Sequence, residues 1–374
     1  FNNDPQSLLL MGAIHYSLGR YEDAVPYLLR YNELAPHTLV TRKMLGMIYV
    51  QRGDHRAALH LLEPLLVRAP NDLQLLTALG KIYTKTGEYS SATELFEKAA
   101  SIAPENTAAR TELGLNRLAT GNLEEARDEL EEAVRLGDGR GRAGAFLGLL
   151  HLRRGDTKSA LEIADRMSKA DPRNPFPHNL AGSAHIQEKA YAKARKRFLA
   201  ALAIAPDYEP AIYNLATVTR LLDGPAAAKQ AYLAILEKDK SQIKAMSELA
   251  TLAIREGNIG EAIEWLNRAN RTNPTAIAPQ LRLVNLLIQN RQLAEARQIM
   301  ESLENRAPRN LSVLDTKAQI QIANGNQAGA IETYRNAANV AANDAAQLFR
   351  IAKVQISLQD VQGAASSLQY AVNL

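Results

Sequence analysis

The chain has 374 residues, of which 46% are hydrophobic and 22% are charged, and it contains no cysteine. The lack of cysteine excludes thiolate nucleophiles, disulfides and cysteine-ligated metals, and no run approaches the roughly 18 uninterrupted apolar residues of a transmembrane helix. The 44 basic and 40 acidic side chains leave a formal net charge of +4, an excess too small to indicate nucleic-acid binding.

The sequence is periodic along its whole length. When the first unit is set to begin at residue 5, eleven units with a 34-residue period follow one another without an insertion. The units begin at residues 5, 39, 73, 107, 141, 175, 209, 243, 277, 311 and 345. Seven of them carry proline at position 32, namely Pro36, Pro70, Pro104, Pro172, Pro206, Pro274 and Pro308. A fixed period of this length predicts a repeat protein, and we expect one array over residues 1–374.

Each unit predicts two helices joined by a turn. Position 20 is alanine in all eleven units, and position 8 is glycine or another small residue in almost every one. Apolar residues recur around positions 7, 11, 20, 24 and 27, the spacing of two amphipathic helices. Glycine near position 15 ends the first helix, and Asn or Asp after the proline caps the next. Because such a unit cannot bury its own apolar face, the units must stack into an all-α solenoid.

A glycine motif interrupts this pattern between the fourth and fifth units. Residues 137–144 read GDGRGRAG, in which Gly139, Gly141 and Gly144 match the dinucleotide-binding fingerprint. A dinucleotide site requires a strand before these glycines, whereas the preceding LEEARDELEEAVRL has the pattern of an amphipathic helix. We therefore predict an inter-repeat turn.

Other residues that could bind a metal or act in catalysis also lack the partner residues that such a site requires. His15, His151 and His185 all occupy position 11, and we expect packed or partly buried histidines there rather than metal ligands. Ser241 and Lys244 form S-x-x-K without the companion motifs of the enzymes that use it. We therefore predict no catalytic, cofactor-binding or metal-binding residues. Residues 151–200 carry eleven basic and five acidic side chains, which leaves open an acidic partner.

The unit length and the residues at positions 8, 20 and 24 resemble those of tetratricopeptide repeats. The resemblance covers the whole chain and departs at position 4, where the family often carries tryptophan and this chain has Leu8, Arg42, Leu76 or Gln280. It implies a right-handed superhelical solenoid of about eleven helix-turn-helix repeats. It also implies a non-catalytic protein that binds other proteins through a concave groove lined by the first helices.

Several apolar residues fall on predicted groove positions. The residues of the proposed binding stripe are Leu115, Leu118, Phe146, Leu149 and Leu152. The alternative is that position 12, which includes Leu118 and Leu152, only packs neighbouring first helices together. Some family members clamp a terminal carboxylate with Lys at position 5 and Asn at position 9. No unit here has both, because Lys43 is paired with Met47 and Asn285 with Leu281.

Two segments resemble a narrower group. NPFPHNLAGSAH at 174–185 and APDYEPAIYNLA at 205–216 are similar to repeats of tetratricopeptide lipoproteins encoded with bacterial exopolysaccharide and PEP-CTERM protein-sorting systems. This resemblance implies a periplasmic location, with a parent protein anchored in the outer membrane through a lipidated cysteine. The chain would then be a segment of a longer repeat protein. A cytoplasmic location is the alternative.

Three functions remain open at this stage. The first is a protein-binding scaffold in exopolysaccharide export or protein sorting, and the second is the regulatory region of an enzyme such as a glycosyltransferase. The third is polysaccharide binding by aromatic rings in the groove, for which the candidates are Tyr16, Phe146, Phe176, Tyr213 and Phe349. We expect a monomer, although uncapped ends would allow end-to-end stacking.

Overall fold

The computed structural model describes residues 4–36, 38–137 and 141–373, in which there are 22 α-helices. The first helices of the repeats are α1 (Pro5–Ser17), α3 (Leu39–Arg52), α5 (Leu73–Thr86), α7 (Thr107–Ala119), α9 (Arg142–Arg153), α11 (Phe176–Gln187), α13 (Glu209–Asp223), α15 (Ile243–Arg255), α17 (Ile277–Gln289), α19 (Leu311–Ala323) and α21 (Ala345–Ser357). The second helices are α2 (Tyr21–Leu34), α4 (His55–Leu62), α6 (Tyr89–Ile102), α8 (Leu123–Arg135), α10 (Thr157–Ala170), α12 (Tyr191–Ile204), α14 (Pro225–Lys238), α16 (Ile259–Thr272), α18 (Leu293–Arg306), α20 (Gln327–Val340) and α22 (Val361–Val372).

The helices follow the predicted repeats closely. Nine of the first helices begin at the predicted residue, and α9 and α11 begin one residue later. Every second helix begins at position 17 of its unit. The all-α repeat fold predicted from the sequence is confirmed. None of the described helices is long and apolar enough to cross a membrane.

Residues of recurring size at positions 8, 20 and 24 of each repeat explain how its two helices approach each other. The alanines at position 20 are fully buried or nearly so, and the apolar side chain at position 24 packs beside them. In the first three repeats with glycine at position 8, that glycine faces Leu28, Leu62 or Phe96 of its own second helix. A larger residue at either position would push the helices apart.

The turns and helix starts also follow the predicted chemistry. The glycines at position 15 have φ values between 70° and 87°, the left-handed region in which glycine pays no steric cost. Asp72, Asn106, Asn310 and Asp344 accept a hydrogen bond from a backbone N–H in the first turn of the helix that follows. These caps satisfy N–H groups that the helix leaves without a partner.

The helices form two compact units, one up to residue 218 and one from residue 219 onward. In the first unit, Leu28, Leu62, Phe96, Leu130 and Phe198 are all buried at position 24. In the second unit the same position carries Tyr232, Leu266, Met300 and Tyr334, which are also buried. Each unit therefore has its own core, built from equivalent positions of successive repeats.

Candidate functional site

The predicted binding stripe lies on two neighbouring first helices, α7 and α9. We call Leu115, Leu118, Phe146, Leu149 and Leu152 the leucine patch. Phe146 is 37% exposed and Leu149 is 44% exposed, whereas the other three are half-buried. Leu118 packs against the core cluster that contains Leu147, and Leu152 packs against the cluster that contains Leu180. Phe146 and Leu149, both on α9, are therefore the most accessible residues of the patch.

Charged side chains surround the leucine patch and hold one another in place. Glu112 on α7 forms two ion pairs through its Oε1 atom. Lys81 Nζ on α5 lies 3.1 Å from this oxygen, and Arg142 Nη1 on α9 lies 2.6 Å from it. The shared carboxylate links three successive first helices and leaves this triad with one excess positive charge. Lys85 on α5 and Arg153 on α9 are two further exposed cationic side chains. The first helices that carry the patch and the helix before them thus bear an excess of basic side chains.

A second apolar surface lies in the second unit, and its residues are not part of the predicted binding stripe. We call Ile254, Ile288, Ile322 and Ile356 the isoleucine row. These residues occupy position 12 of four successive repeats, on α15, α17, α19 and α21. All are exposed except Ile288, which packs against a core cluster. The recurrence of isoleucine at one position was a visible signal, but the exposure of the side chains was not.

Polar contacts also join the first helices of the second unit. Arg282 donates to the Thr251 hydroxyl at 2.6 Å, and Arg350 donates to the Asp315 carboxylate at 3.1 Å. Each of these pairs connects one repeat to the next. Such contacts fix the first helices relative to their neighbours and make the apolar side chains between them a pre-organised surface.

The aromatic residues predicted to stack on sugars require a correction. Tyr213 is only 4% exposed, so its ring is enclosed by protein and cannot stack on a sugar. Tyr16 and Phe176 are half-buried and pack against core clusters. Phe349 is 51% exposed, and the Lys353 ammonium lies 4.6 Å from its ring centre. Phe146 and Phe349 are therefore the exposed rings of the predicted set.

Four sequence profiles described as tetratricopeptide repeat match the chain. One profile matches residues 5–38 and another matches residues 141–166. The other two each match twice, one at residues 43–107 and 220–277 and one at residues 83–150 and 253–320. Together the matches cover more than half of the chain. The chain belongs to the tetratricopeptide repeat family. Repeats of this family imply a scaffold for protein–protein interaction, and the fold is typically non-catalytic. None of the curated proteins matches the sequence of this chain significantly.

Solved structures share the tetratricopeptide repeat fold at low sequence identity. Yeast Tom70 is 15% identical, with 99% of this chain and 96% of that chain covered and a TM-score of 0.56. A tetratricopeptide repeat protein from Parabacteroides merdae is 14% identical, with 66% and 98% covered and a TM-score of 0.55. A chain of the APC/C hetero-tetramer Cut9–Hcn1 is 19% identical with a TM-score of 0.47. The match covers 71% of this chain and 52% of that chain, about half its length.

The position 11 histidines of these tetratricopeptide repeats are buried or partly buried, as predicted. His15 stacks on Tyr27 with ring centres 5.6 Å apart. His151 Nδ1 lies 3.0 Å from the Asp156 carboxylate, and His185 Nδ1 lies 2.9 Å from Glu188. Within residues 4–36, 38–137 and 141–373, no three His, Asp or Glu side chains are grouped as a metal ion requires.

One cluster places Ser159, His151 and Asp156 together, the residue types of a hydrolase triad. Asp156 accepts a hydrogen bond from the Ser159 backbone N–H, and the bonds from Ser159 hold the pKa of this carboxyl below its usual value. In a triad the histidine lies between the serine and the carboxylate. Here the carboxylate lies between the other two and caps α10, so the histidine does not bridge the serine and the carboxylate. The arrangement is a helix cap.

The glycine motif lies between two helices. Residues 138–140, which include Gly139, are outside the described residues. On either side of them, α8 ends at Arg135 and α9 begins at Arg142. The segment before the motif is therefore helical, whereas a dinucleotide-binding loop follows a strand. The turn interpretation agrees with the helices on both sides.

Proposed function

We propose that this chain is a non-catalytic scaffold that binds other proteins through the first-helix faces of its repeats. The observation that carries the proposal is the exposure of apolar side chains on neighbouring first helices. Phe146 and Leu149 form the accessible part of the leucine patch, and Ile254, Ile322 and Ile356, all at position 12, form the accessible part of the isoleucine row. Exposed apolar side chains grouped in this way are typical of interaction sites.

The surroundings of the leucine patch indicate what kind of segment would bind there. Burying a large apolar side chain contributes about 1.5–3 kcal/mol, so one or two anchors supply much of a modest affinity. The cationic rim of Lys81, Lys85, Arg142 and Arg153 is offset by a single carboxylate, that of Glu112. A partner segment with bulky apolar residues and flanking acidic residues complements both features.

The resemblance of residues 174–185 and 205–216 supports a narrower proposal for the biological setting. We propose that the scaffold works in bacterial exopolysaccharide export or PEP-CTERM protein sorting, in the periplasm. The parent protein would be anchored in the outer membrane. A cytoplasmic setting is the competing one, and the two predict partners from different cell fractions.

The experiment is a cross-linked affinity capture from separate envelope and cytosolic extracts, analysed by mass spectrometry. Wild-type chain is compared with Phe146→Ser/Leu149→Ser and with Ile322→Ser/Ile356→Ser. Leu199→Ser is the matched control, because Leu199 is an equally exposed leucine on the second helix α12.

Partners retained by wild type and by the control but lost by a first-helix variant support the scaffold function and identify the face. Equal capture by all four proteins contradicts binding through these faces. Recovery of such partners only from cytosol contradicts the periplasmic setting and leaves the scaffold function intact.

A further inference from the structure

Position 11 residues line cavities beside the second helices in more than one repeat, as His151 and Gln355 do. In the second and third repeats this position is Tyr49 and Tyr83, and the Tyr83 hydroxyl donates to the Glu63 carboxylate at position 25 of the preceding repeat. In the last repeat position 11 is Gln355, which is shorter than tyrosine. A cavity of about 280 Å³ lies above it, between α20 and α22.

The floor of this cavity carries an unsatisfied polar group. The Gln355 side chain is fully buried, and its Oε1 accepts a hydrogen bond from the Ser367 hydroxyl at 2.8 Å. Its Nε2 has no hydrogen-bond partner. If the Gln355 amide were flipped, Nε2 would contact Ser367 and Oε1 would lack a hydrogen-bond partner instead, because Ser367 can bond to only one of the two atoms. A buried amide with an unused end is costly unless another group reaches it.

The cavity walls combine uncharged polar groups with apolar surface, including one aromatic ring. Arg335 is the charged residue at the rim, and its guanidinium makes two hydrogen bonds to Asp360, at 2.6 and 3.0 Å, which neutralise it. Amide and hydroxyl groups come from Asn339, Gln362 and Ser366. Tyr370 forms one wall and is 59% exposed.

We propose that this cavity binds a pyranose ring of a neutral sugar. An anionic ligand would find its one cationic neighbour already neutralised by Asp360. An apolar ligand would leave the Gln355 amide unpaired and would cover the wall amides. A sugar hydroxyl can both donate and accept, so it can pair with Gln355 and with the wall amides while the ring face lies on Tyr370.

The position of the cavity within the repeat indicates that stacking of further repeats does not close it. An equivalent cavity of about 290 Å³ lies between α8 and α10, where position 11 is His151. The helices α11 and α12 follow α10 in the same compact unit, and that cavity is nevertheless present. The site between α20 and α22 therefore lies on a face that neighbouring repeats do not cover.

The test uses saturation-transfer NMR on the full chain with three sugar probes, methyl β-D-glucopyranoside, methyl β-D-galactopyranoside and N-acetylglucosamine, and with N-acetylglycine methylamide as a peptide probe. Gln355→Tyr places a larger side chain beneath the cavity, and Tyr370→Ala removes an exposed ring. Phe349→Ala is the control, because it removes an equally exposed ring from the first helix of the same repeat. Circular dichroism and the Tm confirm that each variant is folded.

We expect saturation transfer to at least one sugar probe with wild type and Phe349→Ala. Gln355→Tyr should abolish the transfer, and Tyr370→Ala should weaken the affinity about tenfold.

No transfer to any sugar probe at millimolar concentration would overturn the site, as would undiminished transfer with folded Gln355→Tyr. Loss only with Phe349→Ala would place sugar on the first-helix face. Stronger binding of N-acetylglycine methylamide than of every sugar would assign the cavity to peptide. These outcomes do not depend on protein binding by the first-helix faces.

Discussion

The ring of Phe96 lies directly against Gly80. A Cβ atom built on Gly80 would come within 2.6 Å of Phe96 Cε1 and within 2.8 Å of Cζ. Both distances are shorter than carbon atoms tolerate, and both residues are buried. The same contact recurs between Gly182 and Phe198. A missing side chain in the first helix thus makes room for a large one in the second.

Gly80→Ala is expected to destabilise the first unit. Overpacking by one methyl group costs about 1–3 kcal/mol, and the better helix propensity of alanine offsets up to about 1 kcal/mol of that. The measurement is the urea midpoint followed by circular dichroism. Gly260→Ala in α16 is the control, because a Cβ there meets no atom within 4 Å. It should stabilise by about 0.5–1 kcal/mol. Equal effects of the two substitutions would contradict the packing argument.

At position 15, three turns hold a residue other than glycine in the left-handed backbone conformation. Lys189, Arg291 and Gln359 have φ values of 57°, 59° and 63°, in the left-handed region. Because a side chain costs roughly 1–2 kcal/mol in that conformation, Arg291→Gly should raise the free energy of unfolding by about 1 kcal/mol. Arg297→Gly, inside the neighbouring helix α18, should lower it by a similar amount. A destabilised Arg291→Gly protein would show that the arginine makes a compensating contact.

The stability of the second unit should depend on pH through Asp360. Its hydrogen bonds with Arg335, and also one from the Gly363 backbone N–H, hold the pKa of this nearly buried carboxyl below 3.8. A lowered pKa in the folded state contributes stability above pH 3.8, and this contribution is lost as the pH falls through the folded-state pKa.

Asp360→Asn tests this contribution. The substitution should cost roughly 1 kcal/mol at pH 7, because Arg335 is half exposed and the pair is partly screened. The Tm difference between wild type and Asp360→Asn should shrink below pH 3.8. A difference that stays constant from pH 7 to pH 2.5 would show that the charge of Asp360 contributes nothing.

Much of the fold could be predicted from the sequence because one period fixes both helices of every repeat. Alanine at position 20 and glycine at position 15 have local, repeated causes, namely helix contact and left-handed backbone. These causes act within a single unit, so the period alone is sufficient to place the helices.

Exposure on the binding faces could not be predicted in the same way. Tyr213 and Phe349 both occupy position 5, and one is buried while the other is exposed. Which of them is covered depends on side chains from adjacent repeats, and these vary from unit to unit. The cavity above Gln355 had no distinct signal in the sequence, because position 11 carries side chains of very different sizes, from Ala253 to Tyr83. Its volume and the unpaired amide required coordinates.

Substitutions in the leucine patch should separate binding from stability. Phe146→Ser and Leu149→Ser remove side chains that are only partly covered, and each should cost about 0.5–1 kcal/mol. Leu118→Ser and Leu152→Ser remove side chains that pack against core clusters, and each should cost about 1–3 kcal/mol. Urea unfolding of the four single variants checks the difference. A large loss with Leu149→Ser would mean that Leu149 belongs to the core instead of the binding face.

The isoleucine row offers the same separation in the second unit. Ile322→Ser and Ile356→Ser should each weaken binding of a partner captured by this unit about fivefold, because part of an apolar side chain is no longer buried in the complex. The Tm should not change. Ile288 packs against the core cluster of α17, so Ile288→Ser should lower the Tm. Titration calorimetry with the purified partner and thermal unfolding measure the two quantities. If Ile322→Ser and Ile356→Ser both leave the affinity unchanged, the partner does not use the isoleucine row and its contacts lie elsewhere on the second unit.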